Sequence, residues 1–220
     1  MKFRSRDSTD VESCFKKGKA HAEKGELALA ILDFTRTIAL RPEFAAAYKE
    51  RGMAYLENED LASALPDFTK ALELDPRDPE SFYGRGQAYS SMEQADSALQ
   101  DFNAALKLDP KYAEAHFSRG VAQMMRGNYF EAVADFTAVI GLEPDLDMAY
   151  YNRGAAWSSQ NDYDRAIPDY TQAIKLNPQF ADAYYERGFA FKAKRELDRA
   201  NQDFRKAIEL DPELAKHPYP

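Results

Sequence analysis

The residues of this chain best suited to chemistry are one cysteine, Cys14, and three histidines. Thiolates and imidazoles bind metals or act as nucleophiles and bases, but they do so in close pairs or triads. His21, His116 and His217 lie far apart and lack the paired spacing of a zinc site, and Cys14 has no evident base. We therefore expect no bound metal, and we interpret Cys14 and His116 as packed core residues.

Phosphate-binding glycine loops are also missing from the sequence. The patterns GxxxxGK[ST] and GxGxxG do not occur, and the triplets GRG and SRG fall in segments with a helical pattern. The 37 acidic residues are spread along the chain rather than gathered in one cluster. The sequence therefore predicts a protein that is not an enzyme and that has no cofactor.

Charge and hydrophobicity limit the kinds of partner. The net charge is −8 and the pI is near 5.0, which is the wrong sign for a general binder of nucleic acid or anionic membranes. No segment approaches the roughly 20 apolar residues of a membrane-spanning helix, and no apolar run follows the N-terminal basic residues as in a secretory signal. A single cysteine is typical of a reducing compartment. We expect a cytoplasmic protein without nucleic-acid partners or membrane insertion.

The elements that carry these residues follow a 34-residue repeat. Glycine recurs at Gly18, Gly52, Gly86, Gly120, Gly154 and Gly188, and an aromatic residue recurs at Phe34, Phe68, Phe102, Phe136, Tyr170 and Phe204. The predicted units are 11–44, 45–78, 79–112, 113–146, 147–180 and 181–214, with an N-terminal extension 1–10 and a C-terminal tail 215–220. Each unit has two helical segments separated by a polar break, and the second ends near a proline that cannot continue a helix. The repeat predicts an all-α chain of about twelve helices in helix–turn–helix pairs.

A glycine in the middle of each first helix requires an explanation, because it costs about 1 kcal/mol relative to alanine. In the segment YYNRGAAW, we interpret Gly154 as the point where the first helix closely approaches the second, facing a small residue such as Ala166. Aromatic residues such as Tyr150 and Trp157 would then pack on either side.

The recurring glycine, alanine, aromatic and proline positions resemble the tetratricopeptide repeat over residues 11–214. The resemblance implies a right-handed α-solenoid, in which the first helices line a concave groove and the second helices form a convex back. The family usually has leucine before the glycine, whereas this chain has Lys17, Arg51, Arg85, Arg119, Arg153 and Arg187. Aspartates such as Asp67 recur just before the aromatic residue of each second helix, so we expect Arg–Asp pairs between helices rather than a row of ligand-binding arginines.

The implied groove is where we expect a peptide to bind. The predicted binding residues are Lys49, Met53, Tyr83, Gln87, Phe117, Val121, Met124, Met125, Met148, Tyr151, Asn152, Tyr185 and Phe189. Aromatic rings and thioethers supply rigid and adaptable apolar area. For Tyr83 and Tyr185, packing against a neighbouring helix is an equally good interpretation.

Charge is expected to vary along the groove. Lysines gather toward the first unit at Lys16, Lys19 and Lys49, and carboxylates line the remainder at Glu80, Glu114, Asp182 and Glu186. A bound segment would then be acidic toward the first unit, apolar in the middle and basic toward the sixth. The clamp by which some family members hold chaperone C-termini is not expected, because none of the six repeat glycines of the first helices is followed by asparagine.

These features favour a non-enzymatic scaffold that holds a peptide or a partner's helix in its groove. The alternative is a self-associating assembly protein, a weak homo-oligomer formed through the end units or the groove. In the last second helix, Asn201 replaces the apolar residue of the other units and Arg205 replaces their threonine or asparagine, and Cys14 and His21 replace aromatic residues in the first unit. We interpret both ends as capped, and the array as complete.

Overall fold

The structure is a computed structural model that describes residues 4–216, with side chains from Asp10 onward; the predicted isolation of His217 lies outside these residues. The described residues form α-helices and no strand, which confirms the all-α prediction of helix–turn–helix pairs. The helices are α1 (Arg4–Ala22), α2 (Leu27–Leu40), α3 (Ala45–Glu57), α4 (Leu61–Leu74), α5 (Pro79–Ser91), α6 (Ala95–Leu108), α7 (Ala113–Met125), α8 (Tyr129–Leu142), α9 (Asp147–Ser158), α10 (Tyr163–Leu176), α11 (Ala181–Ala193) and α12 (Leu197–Leu210), followed by a short 3-10 helix (Pro212–Lys216).

The chain divides into two compact units, an N-terminal unit (Met1–Ala115) and a C-terminal unit (His116–Pro220). In the N-terminal unit, α1 packs on α2, α3 on α4 and α5 on α6, and α2 also contacts α3 as α4 contacts α5. In the C-terminal unit, α9 packs on α10 and α11 on α12 in the same way, and α9 also contacts α11. Each helix pair therefore buries its apolar faces against its immediate neighbours in the chain.

The turn inside each helix pair passes through one residue with a left-handed backbone. These residues also recur every 34 positions, at Gly25, Glu59, Glu93, Gly127, Asn161 and Arg195. After α5, for example, the amide of Gln94 donates to the carbonyl of Tyr89 at 2.9 Å, which is the closing bond of a Schellman cap. The sequence pattern did not reveal this position, because four of its six residues are not glycine.

The recurring aromatic ring lies at the centre of each helix pair. Phe34, Phe68, Phe102, Phe136 and Tyr170 are fully buried, and Phe204 is 5% exposed. A Cβ atom placed on Gly154 would lie 2.9 Å from Cε1 of Tyr170 but 3.3 Å from the carbonyl oxygen of Ala166. The glycine thus makes room mainly for the aromatic ring. Ala166 does face the glycine, as predicted, but the prediction missed that the ring of Tyr170 comes closer.

Arginine and aspartate form the predicted pairs in five helix pairs. Each arginine donates two hydrogen bonds to an aspartate sixteen residues later; in Arg51, Nε lies 2.7 Å from Oδ2 of Asp67 and Nη2 lies 2.7 Å from Oδ1. The pairs are Arg51–Asp67, Arg85–Asp101, Arg119–Asp135, Arg153–Asp169 and Arg187–Asp203. Arg51 also donates to Thr35 on the preceding second helix at 3.0 Å. The arginine therefore joins three helices, which supports the structural interpretation.

Two histidines also lie close to the recurring aspartates of the second helices. Nδ1 of His116 lies 3.0 Å from Oδ1 of Asp135, the aspartate that Arg119 also contacts. Nε2 of His21 lies 3.8 Å from Asp33, in the pair where lysine replaces the arginine. The interpretation of His116 as an ordinary packed residue was incomplete, because its sequence position did not reveal the nearby carboxylate.

Candidate functional site

The aromatic residues predicted to face the groove have a double role in the structure. Tyr83, Phe117, Tyr151 and Tyr185, and also Phe15 at the equivalent repeat position of the first unit, each contact the central aromatic ring of their own helix pair, with ring centroids 5.6 to 6.0 Å apart. All five remain partly exposed. One side of each ring therefore holds the core together while the remainder is open to a ligand, so packing and binding do not exclude each other at Tyr83 or Tyr185.

In the N-terminal unit, Lys49 on α3 is already paired. Its ammonium group contacts the carboxylate of Glu80 and lies 3.5 Å from Oδ2 of Asp78. Burial lowers the pKa of Lys49, but the hydrogen bond that it donates to Glu80 and the negative charges of Asp78, Glu80 and Glu50 together outweigh burial and raise the pKa. Lys49 is consequently a poor anchor for an acidic ligand. The N-terminal part of the predicted groove is therefore less basic than its lysines indicate. Sequence spacing did not show that the carboxylates at the start of α5, Asp78 and Glu80, would pair with Lys49.

The other predicted residues of this unit form a small apolar and amide surface. Met53 is 37% exposed, and its sulfur would lie 3.1 Å from a Cβ placed on Gly84 of the next first helix. Gln87 donates from Nε2 to the hydroxyl of Tyr83 at 2.9 Å. The ring of Tyr83 also packs at a tilt against that of Tyr112, with the ring centroids 4.9 Å apart. These contacts hold Tyr83 in a fixed orientation.

In the C-terminal unit, the residues predicted on α7 divide into two groups. Phe117, Val121 and Met124 pack against the cluster of Val133 and Phe136. Met125 is 72% exposed, so the Met124–Met125 pair does not act as one surface. Phe130 on α8 is 70% exposed and is not among the predicted binding residues. The sequence does mark this position, because Asp96, Asp164 and Asp198 occupy it in three other helix pairs.

The predicted residues at the start of α9 are tied to the helix itself. Nδ2 of Asn152 donates to the backbone carbonyl of Met148 at 2.8 Å, and Met148 is 41% exposed.

A cleft of about 370 Å³ opens between α9 and α11. Tyr151 and Phe189, which were predicted, line it together with Ala155, Tyr163 and Glu186. The ring of Tyr151 packs against that of Phe180, with the ring centroids 4.8 Å apart. The ring of Phe189 packs against that of Phe204, with the centroids 5.2 Å apart. The volume lies within the range of roughly 300 to 1,000 Å³ that is common for ligand sites.

The cleft contains the acidic side chain of Glu186 next to the hydroxyl of Tyr151. Burial raises the pKa of Glu186, and the negative charge of Asp182 raises it further. Burial also raises the pKa of Tyr151 to about 12, so that its hydroxyl is neutral at physiological pH. Within residues 10–216, no lysine or arginine forms an ion pair with Glu186. Glu186 was predicted to line the groove where a bound segment is basic, but its sequence position did not reveal the cleft beside it.

Residues 4–216 contain neither a membrane-spanning helix nor a metal-binding cluster. No helix there is both long enough and apolar enough to cross a membrane. No group of three or more histidine, cysteine, aspartate or glutamate side chains there is arranged to hold a metal ion.

Comparisons with known proteins agree with this architecture. Tetratricopeptide repeat models match residues 15–79, 83–147, 148–180 and 181–214. The crystal structure of MamA is 28% identical, covering 75% of this chain and 96% of MamA, with a TM-score of 0.70. That of YrrB, described as "a TPR protein with an unusual peptide-binding site", is 25% identical, covering 84% of this chain and 96% of YrrB, with a TM-score of 0.75. No curated protein matches the chain significantly. The chain belongs to the tetratricopeptide repeat family.

Proposed function

We propose that the protein is a non-enzymatic scaffold that binds a peptide segment of a partner protein through the first helices of its repeats. The observation that carries this proposal is the cleft between α9 and α11, whose aromatic walls Tyr151 and Phe189 are held by buried rings. Fixed rings lose little conformational freedom when a ligand binds. The peptide-binding site described for YrrB, a similar structure, supports the same role.

The remaining predicted residues supply further contacts within each unit. In the N-terminal unit, Met53 and the oriented Tyr83 offer an apolar patch. In the C-terminal unit, Met125 and Met148 are exposed and adaptable. We assign the principal contacts to the cleft and secondary contacts to these residues.

The test is a selection of binding peptides from a displayed random library, followed by calorimetric titration of the enriched peptides. The double variant Tyr151→Ala/Phe189→Ala should bind them at least about tenfold more weakly, the scale of an aromatic hot spot. Leu197→Ala is the matched control, because Leu197 is 58% exposed but lies on the second helix α12. Circular dichroism verifies that each variant is folded. Unchanged affinity in the double variant would contradict the proposal.

Self-association is the second candidate, and exposed apolar side chains on second helices favour it. Leu29 and Leu32 of α2 are 47% and 54% exposed, and Phe130 of α8 is 70% exposed. Sedimentation equilibrium over a wide range of concentrations tests this candidate. A dimer that the substitution Leu32→Lys or Phe130→Lys disrupts would favour it, whereas a monomer at the highest concentration would exclude it.

A further inference from the structure

Two carboxylates occupy equivalent positions in different helix pairs. Glu50 on α3 and Glu186 on α11 each lie two residues before the glycine of their helix, four repeats apart. Both side chains are partly buried. Burial is the largest influence on each, and it raises the pKa of both carboxyl groups. A partly buried carboxylate is stabilised in its charged form only when a cation or hydrogen-bond donor accompanies it.

The chain supplies cations to Glu50. Nζ of Lys19, on the preceding first helix α1, lies 3.9 Å from Oε1 of Glu50. The positive charges of Lys19 and Lys49 both act to lower the pKa of Glu50, against the effect of burial. The positive charges that stabilise ionised Glu50 therefore come from the chain itself.

Both lysines are replaced around Glu186. Ala155 occupies the repeat position of Lys19, and Tyr185 occupies that of Lys49. Ala155 and Glu186 line the same cleft of about 370 Å³. Lys19 approaches Glu50 from the preceding first helix. At the equivalent place beside Glu186, the short side chain of Ala155 leaves space.

The other titratable groups near Glu186 add no positive charge. They are Asp182 on the same helix, Tyr151 on α9, and Tyr163 and Tyr170 on α10. Tyr170 donates its hydroxyl to Ser158 at 3.1 Å and is fully buried. The cleft thus presents aromatic walls and a negative charge that nothing in the described chain neutralises.

We infer that this cleft binds the basic side chain, lysine or arginine, of a peptide held by the protein. The inference rests on the proposed function and specifies the peptide. Glu186 accepts hydrogen bonds from the cationic group, and the rings of Tyr151 and Phe189 cover its aliphatic stem. Ion pairs of this kind, partly shielded from water, are stronger than those on an open surface. Aromatic faces add a further attraction for the cation.

A basic side chain suits this site better than a metal ion does. Calcium takes six to eight oxygen ligands, whereas only one carboxylate, that of Glu186, lines the cleft, among mainly aromatic and hydroxyl-bearing side chains. A lysine side chain needs one carboxylate and apolar walls for its stem. The contact of Lys19 with Glu50 shows this pairing in the same molecule.

The test uses two probes that share a four-carbon stem and differ in the ammonium group: N-acetyl-lysine N-methylamide and N-acetyl-norleucine N-methylamide. Each is titrated into the full chain at pH 7, and the amide resonances of Gly188 and Ala190 are followed by NMR. The lysine probe should bind about tenfold more tightly than the norleucine probe. Glu186→Gln should remove this difference, and the matched variant Glu50→Gln should preserve it.

Equal affinity of the two probes, or a preference for lysine that persists in Glu186→Gln, would overturn the inference. Binding of neither probe would overturn it as well. In each of these cases the proposed function is judged separately, by whether library-selected peptides bind wild-type protein and lose affinity in Tyr151→Ala/Phe189→Ala. Selected peptides that lack basic residues and bind Glu186→Gln normally would leave the scaffold function intact while excluding the basic subsite.

Discussion

The surroundings of Glu50 in the N-terminal unit and of Glu186 in the C-terminal unit differ although the repeat places both residues alike. Lys19 and Lys49 lie beside Glu50, and Lys49 is held in turn by Asp78 and Glu80. Around Glu186, alanine and tyrosine stand at the positions of these lysines, and a cleft is present. Lysines of the chain itself lie beside Glu50, whereas within residues 10–216 no lysine or arginine pairs with Glu186.

This difference shows how the repeat separates stability from recognition. The buried aromatic ring, the glycine that faces it and the Arg–Asp pair recur in both units and hold the helices in register. The residues that vary lie between these positions on the first helices. At the repeat positions of Lys19 and Lys49 the chain has Ala155 and Tyr185, and Glu186 lies beside a cleft where Glu50 lies beside lysines.

The largest effect is expected from breaking the framework that both regions share. Gly154→Leu places a side chain where even a Cβ atom would lie 2.9 Å from the ring of Tyr170. The variant should lose about 3 kcal/mol of unfolding free energy, the upper range for overpacking, as measured by urea denaturation. Gly141→Leu is the control, because nothing lies within 4 Å of a Cβ placed on Gly141. Equal stability of the two variants would show that the glycine is not needed for packing.

A smaller effect is expected when the C-terminal site is made to resemble the N-terminal one. Ala155→Lys introduces a lysine at the repeat position of Lys19. The new side chain should occupy the cleft and pair with Glu186, so that the lysine probe binds about tenfold more weakly, or about 1.4 kcal/mol. The ion pair should also raise the unfolding free energy by up to about 1 kcal/mol.

A double-mutant cycle separates this ion pair from simple filling of the cleft. The cycle combines Ala155→Lys with Glu186→Gln and measures the unfolding free energy of all four proteins. We expect a favourable coupling of the same sign as in the cycle of Lys19→Ala with Glu50→Gln. Absence of coupling in the first cycle, with coupling in the second, would show that the two carboxylates are not equivalent.

The framework could be predicted from sequence because its residues are constant in type. The 34-residue spacing of glycine, aromatic residue, arginine and aspartate predicted the helix pairs and their ion pairs correctly. The left-handed turn position escaped the same reasoning, since glutamate, asparagine and arginine occupy it as well as glycine. Tyr151 and Phe189 were identified as binding residues by position alone, and their place in a binding site remains a prediction.

The cleft could not be predicted, because it depends on which side chains are absent beside Glu186. An alanine at position 155 appears as an unremarkable helix former in the sequence. Lys49 was misjudged for a related reason: its repeat position indicated an exposed cation, but Asp78 and Glu80 reach it across the interface with α5. Pairing between helices depends on side-chain geometry that periodicity does not specify.

The smallest expected effect concerns the stability of the free protein as pH changes. The pKa of Glu186 is raised in the folded state, so its protonated form favours folding. This contribution is fully present below the pKa of an unfolded glutamate, about 4.3, and is lost as pH rises through the higher folded value. Glu186→Gln cannot ionise. It should therefore be more stable than wild type at pH 7 and equally stable at pH 4.

Glu50→Gln is the matched comparison for this pH effect. The pKa of Glu50 is also raised by burial, but removing its charge leaves Lys19 and Lys49 with one carboxylate fewer. Its stabilisation at pH 7 should therefore be smaller than that of Glu186→Gln, with thermal denaturation at both pH values as the measurement. A larger gain for Glu50→Gln would mean that Glu50, rather than Glu186, bears the unfavourable charge. If instead Glu186→Gln alone is stabilised, the wild-type residue is retained at a cost in stability, as expected of a side chain that contacts a ligand.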